Sequence, residues 1–184
     1  MFFSKPKITF LQFASEFYTN IIGMDIMTYE YYLKVDKEAL LSEDELKEFS
    51  DQQLDIRMLL VSILLSEKVN SGAIQFQNER DFQKQIHEAM FNGYVNNNFR
   101  DDKLDEAFQS FINLAEKFEN HYSTERKPDS DKLTQAGWFC CKKGKSADKE
   151  DALKHVTFNS LVKSEMFNLK DYFNSGYKRV KIVS

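Results

Sequence analysis

Two adjacent cysteines, Cys140 and Cys141, are the side chains of this sequence best suited to covalent chemistry. Lys142 and Lys143 follow them directly, and a nearby positive charge favours the nucleophilic thiolate form of cysteine. His121 or His155 could serve as the base if the fold brought one of them close. Cys140 and Cys141 are therefore candidate reactive thiols.

The same cysteines admit other interpretations. A disulfide between them is disfavoured because adjacent Cα atoms lie about 3.8 Å apart, below the usual 4.4–6.8 Å. Zinc usually takes a Cys-x-x-Cys pair, and lipidation would need a second membrane signal. We favour a structural role, in which Trp138 and Phe139 anchor a helix end and Gly144 terminates it.

The three histidines, His87, His121 and His155, do not form a metal motif. The residues three positions before them are a lysine, a phenylalanine and an alanine, so the Glu-x-x-His pair of a di-iron bundle is absent. Calcium loops, phosphate-binding glycine loops and nucleophile elbows are absent too. The sequence thus predicts no metal, no cofactor and no catalytic residue.

Hydrophobic periodicity predicts an all-α fold in which 1–184 form a single-domain bundle of six or seven helices. Only 6 Gly and 2 Pro stand beside 17 Phe, which favours long helices over a many-stranded sheet. A short strand is predicted either at 27–35 or in the C-terminal tail, and 177–184 is alternatively a disordered tail. The predicted helices are 7–22, 24–40 (a strand being the alternative), 42–72, 79–95, 104–122, 130–143 and 148–174.

Two of these helices have the clearest patterns. Ser42 and Glu45 form a capping box at the start of one, and its segment 58–65 is apolar nearly all round, which predicts a central position in the bundle. The other carries an apolar seam with alternating spacings of four and three residues, typical of a helix packed lengthwise on a neighbour. The seam consists of Leu104, Phe108, Phe111, Ala115, Phe118 and Tyr122.

Charge is distributed unevenly along the chain. Residues 36–55 contain eight acids and two lysines, a balance of −6, whereas 163–184 contain five bases and two acids, a balance of +3. The simplest interpretation is two solvated helix faces that attract each other weakly. A charged partner surface is the alternative, and its candidate residues are Glu43, Asp44, Glu45 and Glu48.

The net charge, the lengths of the apolar segments and the cysteine count argue against several classes of protein. A net charge of −4 argues against a nucleic-acid binder. The apolar block 58–65 is too short to span a bilayer, the N-terminus resembles an amphipathic helix more than a signal peptide, and two cysteines cannot build a disulfide framework. We therefore predict a cytoplasmic protein, and the abundant Lys, Phe and Asn suggest a bacterial genome rich in A and T.

Three functions remain. The first is a small soluble helical protein-interaction or regulatory module without catalytic activity, which binds a protein partner or a second copy of itself. The alternative is a helical domain that holds a small apolar ligand in an aromatic-lined pocket between helices. The third is an enzyme that uses a cysteine or a histidine. We favour the first because catalytic motifs are absent and the charge is split.

Overall fold

In a computed structural model, the chain is an all-α bundle with a two-stranded sheet, described for residues 5–35, 41–99, 101–141 and 149–183. This confirms the predicted fold class. The predicted short strand lies in the C-terminal tail, whereas the alternative segment 27–35 contains a helix from Tyr29 to Val35. The elements are β1 (Lys7–Thr9), α1 (Phe10–Ile22), α2 (Tyr29–Val35), α3 (Glu43–Asn70), α4 (Glu79–Asn96), α5 (Asp101–Glu125), α6 (Lys132–Cys140), α7 (Lys149–Arg179) and β2 (Lys181–Val183).

The parallel sheet joins β1 near the start of the chain to β2 near its end. Lys7 pairs with Lys181, and Thr9 pairs with Val183. Thr9 also caps α1, because its hydroxyl accepts from the backbone N–H of Gln12 at 3.1 Å. An N-cap residue has extended backbone, so the helix that we predicted from residue 7 begins at Phe10.

Helix α3 is the central element, and it packs against α1, α2, α5, α6 and α7. It begins at the predicted capping box, where the backbone N–H of Ser42 donates to the Glu45 carboxylate at 2.8 Å. Between Met58 and Leu65 every side chain except Ser62 is buried. Each such aliphatic side chain contributes about 1.5–3 kcal/mol when it leaves water, so the neighbouring helices assemble around this segment.

Helix α7 runs parallel to α3. Near the N-terminal ends, the Lys154 ammonium lies 3.3 Å from a carboxylate oxygen of Glu45. Near the C-terminal ends, the Lys68 ammonium lies 4.8 Å from the ring centre of Tyr177. The acidic start of α3 and the basic end of α7 are therefore at opposite ends of the bundle, and they do not form the mutually attracting faces that the sequence suggested.

Helices α1 and α4 also run parallel, and they approach closely at Gly93. A Cβ atom at Gly93 would lie 2.8 Å from the Cβ of Tyr18 and 3.0 Å from its carbonyl carbon. Beside this contact the Asn92 amide donates to the Ser15 hydroxyl at 3.2 Å, and an equivalent amide–hydroxyl pair follows one turn later. Only a glycine allows the two backbones this separation.

The remaining helices follow the predicted hydrophobic patterns, but their first and last residues differ from the predicted ones. In the α5 seam, Phe111 and Phe118 are buried and the other four members are half-buried. Helix α6 begins after Asp131, whose carboxylate accepts from the backbone N–H of Thr134 at 2.7 Å, and it ends at Cys140. No helix of the described residues is long and apolar enough to cross a membrane.

Candidate binding groove

A cleft of about 760 Å³ opens where the sheet meets the starts of α1 and α4. Thr9 and Val183, which form the last pair of the sheet, lie at one side, and the outer face of α4 from Asp81 to Glu88 lies at the other. The segment 75–77, which connects α3 to α4, completes the wall. The cleft therefore brings together parts of the chain that are far apart in sequence.

The aromatic floor of the cleft is formed by Phe10 and Phe76, and a third phenylalanine, Phe82, packs against both of them. The ring centres of Phe10 and Phe76 are 4.8 Å apart and nearly perpendicular, and Phe82 lies 5.7 Å from Phe10 and 5.3 Å from Phe76. Phe10 is buried, whereas Phe76 and Phe82 are half-buried. Edge-to-face packing of this kind holds the rings in fixed orientations, so the floor is preformed.

A second cleft of about 510 Å³ continues from the first, and the two share Leu11. Besides Leu11 and the carboxylate of Glu16, its walls are amide and hydroxyl side chains of α1 and α4: Gln12, Ser15, Thr19, Asn20, Asn92 and Asn96. The joint groove, which we call the α1–α4 groove, extends along α1 from Thr9 to Asn20, or roughly 17 Å at the rise of a helix. Both clefts are open to solvent, unlike the enclosed apolar pocket that a small apolar ligand requires.

The wall segment 75–77 has backbone groups available for binding. The preceding Ile74 N–H donates to the carbonyl of Lys68 at 3.1 Å, but no backbone hydrogen bond within the described chain involves 75–77. Gln75 and Gln77 are exposed. A bound molecule can therefore hydrogen-bond to main chain as well as to side chains here.

The predicted interaction residues Glu43, Asp44, Glu45 and Glu48 all lie in the first two turns of α3. Glu45 is engaged within the fold, since the backbone N–H of Ser42 holds the pKa of its carboxyl below the usual value. Acids in a first turn also stabilise the helix through its dipole. The other three are exposed, so a structural role accounts for part of this segment.

The candidate thiols lie at the end of α6. Burial raises the pKa of Cys140 to about 12, and burial also raises the pKa of Cys141, although Lys163 acts in the opposite direction. A thiol with a raised pKa is a poor nucleophile at neutral pH. Lys142, Lys143 and Gly144, which we expected to promote reactivity or to end the helix, lie outside the described residues.

The three histidines lie in separate surroundings. The ring centre of His87 lies 5.9 Å from that of Phe108, and the ring of His121 lies 5.2 Å from that of Phe139, with its Nδ1 atom 3.4 Å from Glu125. Nδ1 of His155 is buried and has no hydrogen-bond partner in the part of the chain that the structure describes. Among the described residues, no cluster of His, Cys, Asp and Glu could hold a metal ion.

A buried ion pair between α3 and α7 is the main polar feature that sequence reasoning missed. The guanidinium of Arg57 donates from Nε and Nη2 to the two carboxylate oxygens of Glu165, both at 3.0 Å. It also donates to the backbone carbonyls of Met24 (3.2 Å) and Asp25 (3.1 Å). The pair therefore fixes the loop between α1 and α2 against the core.

Gln53 extends this network from the neighbouring turn of α3. Its amide nitrogen donates to Glu165, and its amide oxygen accepts from the backbone N–H of Met27 at 2.8 Å. The sequence signal was a glutamate at 165 within an otherwise apolar stripe of the last helix. Since a charge on such a stripe needs a partner, that position could have predicted the pair but not the identity of Arg57.

No family model, no curated protein and no solved structure matches this chain.

Proposed function

We propose that the protein is a non-catalytic interaction module that binds a segment of a partner protein in the α1–α4 groove. The observation that supports this best is the continuity of the groove, which combines an aromatic floor with walls of amide, hydroxyl and charged side chains. Aromatic side chains supply the buried contact area of protein interfaces, and surrounding polar groups supply hydrogen bonds. A peptide segment offers both kinds of group.

The groove is suited to a peptide by its shape and by its rigid support. Helices α1 and α4 are held together at Gly93 and by the amide–hydroxyl pairs beside it. The site is thus preorganised, which reduces the entropy lost on binding. The amides of Asn20, Gln75 and Gln77 each offer one acceptor and two donor hydrogens, and the available main chain of 75–77 adds more.

A second candidate surface surrounds the acidic start of α3. Lys154 of α7 pairs with Glu45 there, and two apolar side chains of the same helix turn, Leu153 and Val156, are exposed, Val156 to 62%. Apolar side chains at a charged surface are typical of interfaces. Glu43, Asp44 and Glu48 would contribute the polar rim of that interface.

The proposal can be tested with a library of random peptides displayed on phage and selected on the immobilised wild-type protein. Binding of the selected peptides is then measured to Gln85→Trp, which fills the cleft, and to Gln83→Trp, a matched substitution on the same helix outside the groove. We expect Gln85→Trp to weaken binding at least about tenfold, which is 1.4 kcal/mol, and Gln83→Trp to leave it unchanged.

Equal binding of the selected peptides to both tryptophan variants would rule out the groove as their site. Retesting them on Glu43→Gln/Glu48→Gln would then show whether the acidic surface of α3 is used instead.

A further inference from the structure

A cluster of exposed cations lies in and beside the sheet, at the end of the bundle opposite the acidic start of α3. Its members are Lys5, Lys7, Lys178, Arg179 and Lys181, all of them exposed. None forms an ion pair within the part of the chain that the structure describes. We call this set the basic cluster.

The register of the sheet brings two of these charges side by side. Lys7 and Lys181 are paired residues of β1 and β2 and are both exposed, while their neighbours Ile8 and Ile182 are half-buried. Side chains alternate between the faces of a strand, so both lysines extend from the solvent face. Like charges directly opposite each other are unfavourable, and an anionic group placed between them relieves the repulsion.

The same sheet has open edges beside the proposed groove. It contains only β1 and β2, and no third strand pairs with either of them in the described chain. Thr9 and Val183, one register step from the middle pair, line the cleft. The N–H of Thr9 is already bound to Oε1 of Gln12 at 2.9 Å, so a segment that leaves the groove at this end meets the remaining edge groups of the sheet together with the basic cluster.

We infer that the partner segment continues from the groove onto the sheet, where it adds as a strand, and that its residues at this point are acidic. This inference rests on the proposed groove function and specifies the chemistry of the partner: an extended acidic peptide. Addition of a strand to an exposed edge is a common mode of peptide recognition, in which main-chain hydrogen bonds give affinity and side chains give specificity.

Other occupants fit the cluster less well. The same edge of a second copy would bring lysines against lysines, which is how edge strands commonly prevent self-pairing. A lipid surface is usually bound by basic residues together with exposed apolar ones, yet no large apolar side chain of the described sheet residues is exposed. A polynucleotide is disfavoured by the overall charge of −4.

The test uses two labelled ten-residue peptides, one alternating Glu with Val and the other alternating Gln with Val, and measures binding by fluorescence anisotropy. Exposed ion pairs contribute little individually, so we expect the Glu peptide to bind wild type roughly tenfold more tightly, which is about 1.4 kcal/mol. The preference should shrink at about 1 M salt, where charges are screened. N-methylation of alternate peptide amides should abolish binding.

The variant Lys7→Gln/Lys181→Gln should lose the preference for the Glu peptide, whereas the matched control Lys103→Gln/Lys117→Gln, which changes two exposed lysines of α5, should keep it. Retention of the preference in Lys7→Gln/Lys181→Gln, or binding of neither peptide, would overturn the inference. Lysine-dependent binding to phosphatidylserine vesicles but not to the peptides would also overturn it, in favour of a membrane.

Failure of this inference and failure of the groove function give different results. If Gln85→Trp weakens the binding of both peptides equally while the lysine variant has no effect, the groove is the binding site and the basic cluster does not select the partner. If Gln85→Trp has no effect on either peptide, the groove function itself fails.

Discussion

Replacement of Glu165 by leucine tests whether the buried ion pair between α3 and α7 holds the bundle together. The side chain of Arg57 is only 6% exposed and that of Glu165 15%. Loss of the carboxylate removes the acceptor of three hydrogen bonds, two from Arg57 and one from Gln53. The guanidinium then stays buried with only backbone carbonyls as partners.

The expected cost follows from this uncompensated charge. Removal of one partner of a buried pair costs about 3–5 kcal/mol, a large fraction of the roughly 5–15 kcal/mol that stabilises a typical domain. For a chain of this size, the melting temperature should fall by roughly 6 to 20 °C. Urea unfolding followed by far-UV circular dichroism measures the change in the free energy of unfolding, and Glu116→Leu on exposed α5 surface is the control.

A second substitution makes the test sharper, because it should recover part of the stability that Glu165→Leu loses. In Arg57→Met/Glu165→Leu neither charge of the pair remains, so the double variant should be more stable than Glu165→Leu alone, with a coupling of about 2 kcal/mol. It should still be less stable than wild type, since the carbonyls of Met24 and Asp25 lose their donors. A cost below about 1 kcal/mol for Glu165→Leu, or a double variant less stable than the single one, would refute the reasoning.

Three further predictions concern single side chains. Gly93→Ala should lower the free energy of unfolding by about 1 kcal/mol in urea titrations, because overlap with Tyr18 outweighs the better helix propensity of alanine; a gain in stability would show that the helices can separate freely. Asp55→Asn should raise the free energy of unfolding at pH 7, since burial raises the pKa of Asp55 and so disfavours its charged form in the folded state. That gain should shrink as the pH falls through the folded-state pKa, where wild-type Asp55 is already neutral; a constant gain would point to packing instead. Iodoacetamide should alkylate Cys141 before Cys140, because burial raises the pKa of Cys140 to about 12; peptide mass spectrometry of the native protein checks the order, and faster reaction of Cys140 would contradict it.

The candidate sites could be predicted from the sequence only in part. The acids from Glu43 to Glu48 were identified by their local density, and the structure places them at one helix start. The α1–α4 groove was not predicted, because its walls come from β1, α1, the 75–77 segment, α4 and β2. Its aromatic residues resemble ordinary core positions in the sequence. Nothing in their spacing distinguishes a groove floor from a buried stripe.

Most of the helices could be predicted from the sequence alone, because helix formation depends mainly on residues within one or two turns, although for α2 a strand was the alternative. The capping box of Ser42 and Glu45 and the apolar segment of α3 were predicted from such local patterns and are present in the fold. Only the tertiary structure decided which helices run parallel, that Lys7 lies beside Lys181, and that Arg57 meets Glu165 across 108 residues of chain. These contacts depend on how all the apolar faces pack at once, and no local pattern encodes that arrangement.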